Sequence, residues 1–169
     1  MLCRIERRIV VTHSISLKEY VKILEHNAEE SGTLAILFSE VMEEINELRD
    51  VKIFAIDVDT RAIEQAGKGI FTESILEDVS PERLAKYFTK KNDQYIISKE
   101  IRRMIIFAPH SMLSDPPFGK LDLISCRNVM IYFQPVLQRM LFSIFHSALK
   151  KNGYLFLGKS ENAGEFHSQ

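Results

Sequence analysis

Apolar residues recur at helical spacing in the stretch 34–48. Leu34, Leu37, Phe38, Val41, Met42, Ile45 and Leu48 fall on one face, which predicts an amphipathic helix. The pattern changes at 52–58. Ile53-Phe54-Ala55-Ile56 is apolar throughout, as in a strand buried on both faces, and Asp57 and Asp59 close it. Thr60 then opens a helix with Ile63 and Ala66 inward, and Gly67 and Gly69 end it. Further on, 121–125 reads as a second buried strand, interrupted only by Asp122. It breaks into Ser125-Cys126-Arg127-Asn128 and resumes as Val129-Met130-Ile131-Tyr132-Phe133. Positions 135–149 predict a helix with Val136, Leu137, Met140, Leu141, Ile144, Phe145 and Leu149 inward. Asn152-Gly153 marks a turn, and 154–158 is another buried strand.

Two regions depart from this alternation. Residues 1–30 read as helical. Arg4, Arg7 and Arg8 can share a face, and Ser16 with Glu19 forms a capping box before the stripe Leu17, Tyr20, Val21, Leu24. Residues 71–107 carry a short helix after Ser80-Pro81, a turn at 90–93 and two short strands at 95–98 and 104–107. They predict a small antiparallel insertion between two strands of the main sheet. Pro116 and Pro117 make 114–119 a loop. The expected fold is α/β, with a short helical segment at 1–30 and a main domain at 31–169 that contains the insertion.

Composition narrows the function. A net charge of −1 argues against a general nucleic-acid binder. No apolar run approaches the ~20 residues of a membrane span, and charges stand where a signal peptide needs its apolar centre. Cys3 and Cys126 are too far apart in sequence to suggest a zinc site or a disulfide framework, so a cytoplasmic address is expected. The five histidines, 13, 26, 110, 146 and 167, show no close ligand pair, and no metal is expected.

Candidate chemistry gathers at strand ends, where ligands sit in open α/β sheets. Asp57 can accept hydrogen bonds from ribose hydroxyls, while Asp59 fits a helix cap. Arg127 offers a planar cationic fork, Asn128 a donor and an acceptor, and Tyr132 a hydroxyl. The bland reading of Arg127 and Asn128 is a solvated cap of the next helix.

Four stretches carry a resemblance: IFAIDVDTRAIEQA (53–66), FAPHSMLSDPPF (107–118), LDLISCRNVMIYF (121–133) and NGYLFLGKSE (152–161). The chain resembles the chemotaxis receptor methyltransferases of the CheR type, which use S-adenosylmethionine to methylate glutamate side chains. The resemblance implies a Rossmann-like methyltransferase sheet. It assigns the cofactor's ribose to Asp57, its adenine to the segment at Ser111 and Met112, and its methionine end to Arg127 and Asn128. Tyr132, with Arg127, would line the methyl-transfer pocket. At Ser111 the family usually has Asn, so that contact is weakened or replaced here. The insertion resembles the family's receptor-contacting β-subdomain, and the implied partner is a methyl-accepting chemotaxis receptor or similar signalling protein.

The resemblance also exposes a gap. The family carries a strand and a small-residue loop of the type SxGxSTGEE before the helix at 34–48. Here the chain runs from His26-Asn27-Ala28-Glu29-Glu30 directly to Ser31-Gly32-Thr33, and the family's last strands would follow Phe166. The strand, the loop and part of the helical domain are therefore expected to be missing, leaving the sheet incomplete with unpaired central edges. Two functions stay open: methyl transfer to receptor glutamates, and a catalytically impaired remnant acting as a receptor- or protein-binding module.

Overall fold

The computed structural model describes residues 8–12, 31–127, 130–159 and 161–162. Its main sheet has five strands: β1 (Arg8–Thr12), β2 (Lys52–Asp57), β6 (Ile105–Pro109), β7 (Leu121–Cys126) and β8 (Leu149–Leu157). Their spatial order is β6-β2-β1-β7-β8. β2 runs parallel to β6, and β7 parallel to β8. β1 lies between the two pairs, antiparallel to both β2 and β7. All four outer strands therefore point the same way and deliver their carboxyl ends to one edge.

Two expectations about the N-terminal region are corrected here. Arg8–Thr12 is a strand rather than helix, and Ile9-Val10-Val11 has the β-branched composition that favours it. The central place in the sheet is also filled: Val10 lies opposite Phe54 on one side and Ile124 on the other. The other residues of 1–30, including the expected capping box at Ser16, lie outside the described residues.

Helices cover both faces. On one, α1 (Ser31–Glu44) packs Leu34, Ile36, Leu37 and Phe38 against Ile53, Ala55 and Leu123. On the other, α6 (Pro135–Ala148) packs Leu141, Phe142 and Phe145 against Leu121, Ile124 and Cys126. Three details depart from the apolar pattern. α1 stops at Glu44, because Asn46 takes a left-handed conformation (φ 52°). Asn46 N–H then bonds Glu43 O, and Glu47 N–H reaches back to Met42 O, which closes the helix and leaves Leu48 fully exposed. On α6, Phe142 turns inward, while Val136 is 70% and Met140 49% exposed. The helix ends before Leu149, so Asn152-Gly153 is an irregularity within β8 rather than the turn before it. Asn152 has φ 68°, and a Cβ on Gly153 would lie 3.0 Å from Leu121 O. Lys150 reaches from this kink to Asp122, at 2.8 and 3.0 Å, which accounts for the one charged residue in β7.

The insertion is smaller than the sequence pattern suggests. β3 (Ile70–Phe71), β5 (Gln94–Ile97) and β4 (Phe88–Lys91) form a three-stranded antiparallel sheet in that order. Of residues 104–107, expected in the insertion, Ile105–Phe107 instead belong to β6 of the main sheet, and Met104 caps the helix before it. Ile105 is buried and in register with Ile53, and pairing with β2 buries it more fully than a two-sided exposed hairpin would. α4 (Pro81–Tyr87) ties the insertion to α1. Arg83 donates to both carboxylate oxygens of Glu40, at 2.9 and 2.6 Å, and Lys86 lies 2.5 Å from Glu43. Between β5 and β6, α5 (Lys99–Arg103) contributes the buried Ile101.

Because β1 bonds on both edges, proline is badly tolerated there. Val10→Pro removes a ladder donor and is expected to cost about 1–3 kcal/mol, as for a buried acceptor left unsatisfied. Thermal denaturation measures this, and an unchanged melting temperature would show that β1 is not the central strand.

Candidate functional site

The aligned carboxyl ends of β2, β6 and β7 form the candidate site. Arg8 is level with Ile56, and Ile9 with Ser125, so Asp57 and Arg127 leave the sheet at nearly the same height, two strands apart. With neighbouring strands about 4.8 Å apart, their backbones are roughly 10 Å apart across β1. On the other side of β2, Asp57 is in register with Pro109, and His110 N–H bonds Asp57 O at 2.9 Å. Ser111 and Met112 follow. Along this edge the order is Ser111–Met112, then Asp57, then Arg127.

The two acids after β2 have separate tasks. Asp59 is the N-cap of α2 (Thr60–Gly67): its Oδ1 accepts from Arg61 N at 2.9 Å and from Ala62 N at 3.4 Å. Asp57 is buried at 7% exposure, and among the described residues its carboxylate accepts from Asp59 N alone, at 2.8 Å to Oδ1. A carboxylate has about four acceptor positions, so one backbone bond leaves most of its capacity available to a ligand's hydroxyls. α2 ends tightly. Gly69, at φ +64°, has no room for a Cβ, which would lie 2.9 Å from Ile97. Arg102 fastens this end to β6, donating to Gly67 O at 2.8 Å and Ile105 O at 2.9 Å.

Arg127 sits just past β7, with its guanidinium 5.2 Å from the Phe156 ring. Its Nε is buried and has no hydrogen-bond partner among the described residues. A buried N–H donor left unbonded is costly, and a polar or anionic ligand at this edge would satisfy it. Tyr132 lies in a 3-10 turn, Met130–Tyr132, and its side chain is 64% exposed. Asn128 lies outside the described residues.

Ser111 is engaged in its own turn. Its N–H donates to Asp115 Oδ2 at 2.7 Å, and its Oγ accepts from Leu113 N and Ser114 N at 3.4 and 3.3 Å. Met112 packs against the apolar cluster of α6 and β7. Three residues not singled out from the sequence also bear on this edge. His110 has a buried Nε2 without a partner, its ring 4.6 Å from Phe118. Gln138 of α6 and Glu161, after β8, both bond the turn that carries Tyr132. His110 directly follows β6, and its place after a strand end is the signal that could mark it; Gln138, within a helix, and Glu161, four residues past β8, carry no such spacing signal. No group of three or more His, Cys, Asp or Glu among the described residues is arranged to hold a metal, and no helix among them is long and apolar enough to cross a membrane.

On the insertion, Lys86 and Lys90 are both held cationic. The Glu43 hydrogen bond, followed by Tyr87, raises the Lys86 ammonium above its ordinary value. Tyr95, followed by Glu73, raises Lys90. Lys90 lies 3.7 Å from Glu73 and over the Tyr95 ring.

Known proteins share this layout of sequence. A chemotaxis protein methyltransferase of Borreliella burgdorferi is 33% identical over 138 residues, covering 80% of this chain and 49% of the relative. The chemotaxis protein methyltransferase of Escherichia coli K12 is 36% identical over 117 residues, covering 66% of this chain and 41% of the relative. An uncharacterised 104.1 kDa protein of Rhodobacter capsulatus is 46% identical over 133 residues, covering 79% of this chain and 14% of its own length. The chain thus spans half or less of these relatives. Residues 14–169 match the family described as "CheR methyltransferase, SAM binding domain". The buried Asp57, with acceptor capacity to spare among the described residues, and the buried Arg127 Nε are compatible with that family's cofactor, S-adenosylmethionine. With nearly its whole length matched, this chain belongs to the CheR methyltransferase family.

Proposed function

We propose that this chain binds S-adenosylmethionine across the carboxyl edge of its sheet and transfers the methyl group to glutamate side chains of chemotaxis receptors. The observation that carries the reading is the order along the edge, Ser111–Met112, Asp57, Arg127. It follows the order of the cofactor's adenine, ribose and methionine. In this assignment Asp57 accepts the ribose hydroxyls, Arg127 and Asn128 hold the methionine end, and Met112 offers the adenine an apolar flank. Ser111 has its N–H, its C=O and its Oγ acceptor engaged in its own turn, so its hydroxyl hydrogen is what it can offer the adenine. Arg127 and Tyr132 would border the pocket where transfer takes place.

When bound, the cofactor supplies an electrophilic methyl on a sulfonium. A glutamate carboxylate, with an ordinary pKa of about 4.3, is already ionised at neutral pH. The chain therefore needs no general base. Its residues have to hold two reactants in line and keep water away. The domain division proposed is a methyltransferase domain made of β1 and residues 31–169, with its insertion as the receptor-facing part; a division at 30 would cut the central strand out of the sheet. The alternative, a module that binds receptors without turnover, would leave the polar row at the sheet edge without a task.

The loop of the type SxGxSTGEE would supply several hydrogen bonds in an intact relative. Losing about three of them, at roughly 0.5–1.5 kcal/mol each, lowers cofactor affinity by about one to three orders of magnitude. Calorimetric titration of the parent, Asp57→Ala and Asp59→Ala tests the assignment. Asp57→Ala is expected to abolish the remaining binding. Asp59→Ala is expected to leave affinity intact and cost about 1 kcal/mol of stability as a lost cap. Equal binding by parent and Asp57→Ala would place the site elsewhere, and transfer of labelled methyl to receptor glutamates tests the reaction itself.

The insertion's role is tested separately. Receptor methylation segments rich in acidic residues would meet the lysines of the β4–β5 turn. Lys90 is partly satisfied by Glu73, so Lys91 is the freer cation of the two. Reversing both charges is expected to weaken receptor binding, more so at low salt. Unchanged binding would remove the insertion from the docking surface.

A further inference from the structure

Cys126, at the end of β7, is in register with Leu157, at the end of β8. Beyond this last rung the two strands part. One leads through Arg127 to the Met130–Tyr132 turn, and the other through Gly158 to Glu161. The Glu161 side chain bridges the two paths. Its Oε1 accepts the Met130 N–H at 2.6 Å, and its Oε2 accepts the Gly158 N–H at 2.7 Å. Its own N–H donates to Gly158 O at 3.0 Å, so the carboxylate is held over the end of β8. From the other side, Gln138 Nε2 of α6 donates to Met130 O at 2.8 Å and to Phe133 O at 3.0 Å. Met130 is thus gripped at both its backbone N–H and its backbone C=O. Cys126 is held by the last ladder rung and Met130 by this clamp.

We propose that Glu161 is a positioning residue: its carboxylate, bridging Met130 N–H and Gly158 N–H, holds the Met130–Tyr132 turn against the end of β8, and so sets where Tyr132 and the neighbouring Arg127 meet the cofactor. This rests on the assignment of those residues made above. Glu161 touches neither reactant, and it acts by fixing a backbone. The task requires an ionised carboxylate. Two backbone N–H groups converge on it, and charge-assisted bonds of this kind are the strong ones. A glutamine of the same shape has a single acceptor oxygen, so its NH2 would have to face the second N–H.

Glu161→Gln in the full chain tests the clamp by two readouts. Amide hydrogen exchange followed by mass spectrometry is expected to speed up about tenfold in the peptide spanning 127–133, as for the loss of one charged hydrogen bond, with β2 and α6 unchanged. Titration with S-adenosylmethionine is expected to show affinity about tenfold lower. Glu161→Asp keeps the charge on a shorter stem, is expected to fall between parent and Glu161→Gln, and serves for both readouts if the Gln variant does not fold. Unchanged exchange at 127–133 would overturn the proposal, and so would faster exchange with unchanged cofactor affinity. If the parent binds no S-adenosylmethionine, the proposed function fails. The exchange result then decides alone whether Glu161 holds the turn.

Discussion

Everything at the candidate site depends on one set of backbone hydrogen bonds, those that β1 makes along both its edges. β2 and β7 are parallel and two places apart, too far to bond each other. Each brings its own neighbour, β6 or β8. Without a strand between them, these are two separate parallel pairs with no fixed relation. β1 sets their register, and that register puts Asp57 and Arg127 at one height. A strand entering antiparallel does this as well as a parallel one, because register depends on the ladder and not on the strand's direction.

The two halves are then secured by different means. On the β2–β6 side, Asp59 caps α2 and Arg102 joins the end of α2 to β6, both by bonds to backbone atoms. On the β7–β8 side, Glu161 and Gln138 bond the backbone of Met130, and the Lys150–Asp122 ion pair adds a side-chain link between the two strands. Apolar packing supplies the bulk of each face, with one cluster under α1 and one under α6. The polar fasteners fix where the strand ends go. Both the apolar clusters and the fasteners are needed for a site built from three separate strands.

The sequence makes three of the four parallel strands, β2, β7 and β8, and the main helices legible, because continuous apolar runs and helical periodicity are local signals. Asp57 and Asp59 are distinguished by position alone, and the geometry supports the cap at Asp59. Three things were not legible. The first is β1: five residues in a basic, helix-compatible stretch become a strand only because two edges need a partner, and that is a tertiary demand. The second is the membership of β6. A short apolar run reads the same in a hairpin as in a parallel sheet, and only its register with β2 decides. The third is the clamp at Met130. Its bonds go to backbone atoms from Glu161, 31 positions away, and from Gln138. No residue pattern records which side chain will meet a given peptide group. The face of α6 was misread for a related reason: Phe142 and Val136 are both apolar, and packing chose between them.

The central position of β1 also has a consequence in time. Val10 pairs with Phe54 and with Ile124, so its two partners are 44 and 114 residues further along the chain. During synthesis the first edge can be covered once β2 has emerged, while the second waits for β7. The interval between them corresponds to about 70 residues, roughly 4–14 s at ordinary elongation rates. For that time a β-branched strand has one bonded edge and one open edge, the state most prone to pairing with another chain. Contacts this distant also slow folding in the free protein. The strand that unites the sheet is thus made first and completed last, and the nascent chain is most vulnerable between those two moments.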